Sequence, residues 1–172
     1  SLLRVWAYAL RYFEKSKLAF SFIQVNPASE FYVKRFFKEQ GINPERVFFY
    51  SLSDTNTYLE RMKSIDIMFG ASPEEGGVTF TDSLCQGIPF ITYIANSTSL
   101  TSTNALREMG YPEWCVRSPS DFVKIIREEL RSTYKRSSER QCEMQKRMLE
   151  RSTDIREKYI NAIDGMIEDF LR

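Results

Sequence analysis

The chain has 172 residues, 42% of them apolar, and a formal net charge of +1. That is enough to bury one ordinary core and too little charge to draw the whole molecule onto nucleic acid or an anionic membrane. It contains no histidine, which removes the commonest general base and the commonest metal ligand.

Cys85, Cys115 and Cys142 form neither a CxxC pair nor an even set, so neither a zinc site nor a disulfide framework is implied, and a reducing, cytoplasmic setting is expected. No apolar run reaches the roughly 18 to 20 residues of a membrane span, and the first residues carry no signal-peptide pattern.

Leu2, Leu3, Trp6, Leu10 and Phe13 recur at helical spacing, predicting a helix over residues 2 to 13. The run from Leu18 to Val25 reads as a strand ended by Asn26-Pro27. A helix from about Ser29 to Gln40 stops at Gly41. Then follow a strand at Val47 to Tyr50, a helix from Asp54 to Ser64 and a strand from Ile65 to Phe69. After a glycine-bearing turn and a short helix come a strand from Phe90 to Ile94, a short helix from Asn104 to Met109 and a short strand from Trp114 to Val116.

Ser118-Pro-Ser-Asp121 is a helix start, with Ser118 as N-cap, Pro119 in the first helical position and Phe122, Val123, Ile126 and Leu130 on the buried face. Residues 131 to 151 are charged and read as a solvated helix or helix pair, with Glu and Arg alternating and no basic stripe for nucleic acid. Ile155, Tyr159, Ile163, Met166, Ile167 and Phe170 mark a last amphipathic helix. Strands alternating with helices at this spacing predict an α/β Rossmann-like domain, a parallel sheet flanked by helices, over residues 1 to 131. A helical extension over 132 to 172 is expected to pack on it.

The segment Pro73-Glu-Glu-Gly76-Gly77-Val78-Thr79-Phe-Thr81-Asp82-Ser-Leu-Cys-Gln-Gly87-Ile-Pro89 falls at the carboxyl edge of that sheet, where such folds hold ligands. Gly76 and Gly77 let a backbone approach a ligand closely, and the helix that follows offers unpaired N–H groups and a positive dipole end, a combination suited to a diphosphate. Thr79 is placed to hold a phosphate oxygen and Asp82 to accept from ribose hydroxyls. Helix capping accounts for the same residue types equally well, so the residues alone leave both readings open. Gly87 and Pro89 read as a left-handed helix stop and a strand start. Glu74 and Glu75 are adjacent, diverge, and read as a solvated loop rather than an acid/base pair. Ser83 and Cys85 have no histidine partner, and neither a DxD, a metal-ligand spacing nor a phosphate-binding Gly-Lys-Ser/Thr loop is present.

Taken together, Asn43-Pro-Glu-Arg-Val-Phe-Phe49, Ser64-Ile-Asp-Ile-Met-Phe69 and the stretch from Gly76 to Pro89 resemble the C-terminal half of O-GlcNAc transferase-like glycosyltransferases. That family includes bacterial protein N-glucosyltransferases and related plant fucosyltransferases. The resemblance runs from about Ser1 to Leu130. It implies the GT-B architecture of two Rossmann-like domains facing across a cleft, a UDP-sugar donor as substrate, no cofactor, no metal, and a protein or glycan acceptor. By the same resemblance Thr79 and Asp82 meet diphosphate and ribose, Arg61 lies near the uracil, and Tyr58 stands where familiar members have histidine and stacks on the base. Gly76, Gly77 and Val78 form the donor loop.

Thr55 replaces a familiar lysine, Gly77-Val78 replaces a His-Thr pair, and the loop from Asn96 to Ser102 lacks an expected arginine. The family's C-terminal domain begins with a strand and a lysine-bearing loop before the helix that here spans Leu2 to Phe13. The chain is therefore expected to be part of a longer protein, to lack that strand and the N-terminal catalytic domain, to be inactive alone, and to self-associate through uncovered apolar surface. Two alternatives stand beside this one: another nucleotide-sugar GT-B enzyme, such as a heptosyltransferase or a sugar 2-epimerase, and a non-catalytic GT-B-like module that binds partners.

Overall fold

A computed structural model describes residues 1–22, 24–51, 53–70, 77–94, 101–132 and 137–171. In chain order the elements are α1 (Leu2–Tyr12), β1 (Leu18–Phe22), α2 (Pro27–Glu39), β2 (Val47–Ser51), α3 (Thr55–Met62), β3 (Met68–Gly70), α4 (Gly77–Cys85), β4 (Phe90–Tyr93), α5 (Thr101–Glu108), β5 (Cys115–Val116), α6 (Pro119–Arg131) and α7 (Ser138–Leu171). Short 3₁₀ turns at Pro44–Arg46 and Pro112–Trp114 lead into β2 and β5.

Every strand pair is parallel: β1 with β2, in register Leu18 to Val47, then β3 with β4 and β4 with β5. The fold is therefore the predicted α/β Rossmann-like arrangement of parallel strands flanked by helices. One feature differs from a single continuous sheet. Among the described residues the ladders form two sheets, β1-β2 and β3-β4-β5.

The helix starts follow their capping chemistry. Asn26 accepts from the Ala28 amide at 2.9 Å, Asp54 from the Thr57 amide at 3.0 Å, and Ser118 from the Asp121 amide at 3.0 Å, each satisfying a donor that the first turn leaves without a partner. Gly87 stops α4 in the left-handed region at φ 70°. The Ile88 amide closes back on the Ser83 carbonyl at 2.8 Å and the Gly87 amide on that of Leu84 at 2.9 Å, a Schellman-type ending.

Several elements differ from the sequence expectation; β1, for one, ends at Phe22 rather than Val25. The third strand begins at Met68 rather than Ile65, because the Ile65 amide still turns back onto the Met62 carbonyl at 3.0 Å. The helix after β4 opens at Thr101 rather than Asn104. The C-terminal charged stretch and the amphipathic stretch form one helix of 34 residues, α7. No glycine or proline interrupts it before Gly165, and pairs such as Lys158–Asp154 at 2.7 Å support it along its surface.

Two cores result. The larger joins Phe80 and Leu84 of α4, Phe90 and Ile91 of β4, Leu106 of α5, Trp114, Phe122 and Ile126 of α6, and Met144 of α7. Burying a side chain the size of Phe122 contributes about 1.5–3 kcal/mol. The smaller holds Ala7, Leu10, Leu18, Phe37, Ile42 and Val47. Trp6 and Phe69 touch both.

Helix α7 is held by its first half. The Trp114 indole donates to Glu129 Oε1 at 2.8 Å, and Arg140 closes an ion pair on Glu129 Oε2 at 2.6 Å with both side chains largely buried. Arg140 and Arg147 lie over the stacked rings of Trp114 and Tyr111, where ring faces attract cations. Gln141 and Gln145 both donate to the Cys85 carbonyl at 2.8 Å, capping the far end of α4. Beyond this, Ile155, Tyr159, Ile163 and Met166 are exposed.

Candidate functional site

Helices α3 and α4 both start at the carboxyl edge of the strands, directly after β2 and β3. Their first turns converge there. Tyr58, in the first half of α3, donates its hydroxyl to Asp82 Oδ2 at 3.0 Å across 24 residues of sequence. Both residues are half-buried. Burial first, then the hydrogen bond to Asp82 and its charge, push the Tyr58 phenol up to about 12, opposed by a hydrogen bond from Thr79. Tyr58, Thr79 and Asp82 are thereby one polar cluster at the start of α4. Among the described residues Asp82 Oδ1 makes no hydrogen bond, which leaves an unused acceptor beside the pair.

Among the described residues the amino end of α4 is uncovered. Gly77, Val78 and Thr79 are exposed, Val78 at 76%, and no acidic residue occupies the first turn. A Cβ built on Gly77 would meet nothing within 4 Å, and its φ is not in the left-handed region. Neither backbone strain nor crowding among the described residues therefore calls for glycine at this position. Thr81 turns its hydroxyl back onto the Gly77 carbonyl at 3.0 Å and so is spent within the helix. Gly76, Glu74, Glu75 and the loop residues from Asn96 to Leu100 lie outside the described residues.

Arg61 sits one turn after Tyr58 on the same side of α3. Its Nη1 donates to the Ser51 carbonyl at 3.0 Å and to Ser53 Oγ at 3.3 Å, and its guanidinium lies 4.9 Å from the Tyr50 ring centre. The arginine is thus positioned by the end of β2. Its Nε and Nη2 make no hydrogen bond among the described residues. Tyr50 and Ser53, which hold it, were not picked out from the sequence. Their one signal was position, since both fall at the end of a strand on the ligand-binding edge.

Crevices are shallow. One of about 50 Å³ lies at the ends of β1 and β2, between Asn26, Ser29 and Phe49. A larger one of about 400 Å³ is lined by Glu108, Gly110, Arg147 and Arg151, at the opposite, amino-terminal edge of the strands. It is bridged by the Arg151–Glu108 ion pair at 2.6 Å. Volume alone would favour the second, but the uncovered helix start and the polar cluster lie at the other edge. Among the described residues no group of three or more Cys, Asp and Glu side chains comes together to hold a metal ion, and no helix is long and apolar enough to cross a membrane. The three cysteines are free.

No protein-family model matches the chain, and no curated protein matches it in sequence. Among solved structures it is similar to a mutant of the O-GlcNAc transferase of Thermobaculum terrenum, with a TM-score of 0.74 at 19% identity over 87% of this chain. The chain spans 29% of that protein's length. At this identity the likeness establishes the fold, one shared with part of a glycosyltransferase.

Proposed function

We propose that these residues form the donor-binding half of a GT-B glycosyltransferase, in which the start of α4 grips the diphosphate of a UDP-sugar without a metal. The observation that carries this is the uncovered amino end of α4 beside the Tyr58–Asp82 pair, at the carboxyl edge of a parallel sheet. The fold likeness to an O-GlcNAc transferase supports it.

In this reading the amides of Gly77, Val78 and Thr79 and the Thr79 hydroxyl meet phosphate oxygens. The helix dipole stabilises negative charge as the nucleotide leaves, and Asp82 Oδ1 accepts from the ribose. Tyr58 holds Asp82 in place and offers a ring edge to the base, while the unengaged side of Arg61 faces the same region. The acceptor, a protein or a glycan, is held mainly by another domain of the parent polypeptide, which also supplies the general base. Free thiols at Cys85, Cys115 and Cys142 fit a cytoplasmic setting.

The test is a titration of the isotopically labelled chain with UDP, ADP and inorganic pyrophosphate, followed by amide chemical shifts. UDP is expected to move Tyr58, Arg61 and Gly77 through Asp82. Asp82→Ala is expected to weaken binding by about 1.5–3 kcal/mol, roughly 10- to 150-fold in Kd. A preference for ADP would favour a heptosyltransferase-type donor. Shifts confined to other regions, or an Asp82→Ala variant that binds as tightly as the parent, would defeat the reading.

A further inference from the structure

Along α2 and α7, surface cations pair with acids one turn away: Lys34 with Glu30, Arg35 with Glu39, Arg147 with Glu143 and Lys158 with Asp154. This spacing steadies a helix in water. Helices α1 and α6 depart from it together. On α1 the exposed residues Arg4, Tyr8, Arg11 and Tyr12 recur at i, i+4, i+7 and i+8, so they share one face, and none of them is acidic. On α6 Lys124, Arg127 and Arg131 share a face in the same way, and Arg131 stands one turn from Arg127, where like charges cost stability.

The two faces meet. The Arg127 guanidinium lies 4.7 Å from the Tyr12 ring centre, and α1 and α6 are in contact and contribute to the same core. The joint surface carries Arg4, Arg11, Lys124, Arg127 and Arg131. Both of its acids are already engaged: Glu128 lies 4.0 Å from Lys124, and Asp121 accepts from Ser118 Oγ at 2.6 Å. Among the described residues Arg4, Arg11, Arg127 and Arg131 close no ion pair. Five cations against two acids make this one surface more positive than the whole chain, whose net charge is +1, so the charge is concentrated here rather than spread.

We propose that this surface binds an acidic peptide segment, rich in aspartate and glutamate, of a partner protein. Charge complementarity names the occupant. A guanidinium presents its donors as a fork that fits a carboxylate, and neither it nor an ammonium accepts a hydrogen bond. Arg4 and Arg11 stand two turns apart, about 10 Å along α1, a distance that an extended peptide covers in about three residues. Other anionic partners fit less well. A nucleic-acid strand is gripped by stacking its bases on open rings, and the Tyr12 ring is already shared with Arg127 and Phe13 while Tyr8 is only 38% exposed. A lipid surface calls for apolar side chains between the cations, and the only large apolar side chains exposed on α1 and α6 are these two tyrosines. The surface stands whether or not α4 holds a nucleotide.

Fluorescein-labelled hexaglutamate, titrated with the full chain and read by fluorescence anisotropy, tests this. Hexaglutamate is expected to bind, and its affinity to fall about ten-fold between roughly 50 and 300 mM salt. Arg11→Glu combined with Arg127→Glu is expected to weaken binding about ten-fold or more. Arg35→Glu combined with Lys38→Glu makes the same change of net charge on α2 and is expected to leave binding within about two-fold. Thermal melts check that both variants fold. Arg4→Gln combined with Arg131→Gln, at fully exposed positions, is expected to weaken binding about three-fold and reads the surface should the first variant not fold. No binding of hexaglutamate at low salt, binding undiminished in the α1/α6 variants, or an equal loss in the α2 variant would overturn the proposal. So would tighter binding of a short thymidine oligonucleotide, or of phosphatidylserine vesicles, than of hexaglutamate.

Discussion

Replacing Tyr58 with phenylalanine isolates one oxygen at the centre of the candidate site. The hydroxyl donates to Asp82 at 3.0 Å, and the phenol is pushed up to about 12 from an ordinary value of 10.0. Two pH units correspond to about 2.7 kcal/mol between protonated and ionised forms. Burial, the largest cause, accounts for much of this, and because the side chain is only half-buried the stabilising part is screened to about 1 kcal/mol.

The sign follows from the raised value: the protonated phenol is favoured in the folded state. The contribution is therefore complete below pH 10 and is lost as pH rises from 10 towards 12. The assay is tyrosinate absorbance in the folded protein at pH 11. There an ordinary phenol is about 90% ionised and Tyr58 about 10%. Tyr58→Phe is expected to leave that absorbance nearly unchanged while losing about 1 kcal/mol of unfolding free energy at pH 8. Loss of a full tyrosinate signal at pH 11 would show that Tyr58 titrates as a free phenol and that the pair does not form.

Three further substitutions probe how the site is supported. Glu129→Gln leaves the Trp114 hydrogen bond but strands the buried Arg140 charge, and should cost about 3 kcal/mol, read by urea denaturation. Gly87→Ala combines a left-handed φ of 70° with a Cβ placed 3.3 Å from the Gln141 Cα. It is expected to cost about 2 kcal/mol and to loosen the hydrogen exchange of α7 near Gln141. Arg46 donates to the carbonyls of Leu10, Phe13 and Ser16 at 2.7 to 2.9 Å and ties the end of α1 to β2. Arg46→Ala should cost about 3 kcal/mol in thermal unfolding, and Arg46→Lys, lacking the planar fork, should recover only part of it.

What the sequence made legible was local. Ser118 and Pro119 specify a helix start through atoms within three residues of each other, and Gly87 specifies a stop through its own φ, so both were readable without the fold. Residue patterning likewise placed five strands and the helices between them, which sufficed for the Rossmann-like class. The Tyr58–Asp82 bond was not readable, because the distance between α3 and α4 is set by the strands beneath them. The resemblance implied a role in donor binding for each side chain but no bond between them. The capture of Arg61 by Tyr50 and Ser53 and the continuity of α7 depend in the same way on neighbours distant in sequence or on the absence of a breaker. Strand pairing is the least local property of all.

Helix α4 has its amino end bare at the ligand edge and its carboxyl end clamped, through the Cys85 carbonyl, by two glutamines of α7. Nine residues at 1.5 Å each make it a strut about 13 Å long, buried along one side by Phe80 and Leu84. A strut of that length does not bend. The exposed start of α4 and the two glutamines of α7 that hold its end are therefore opposite ends of one rigid rod.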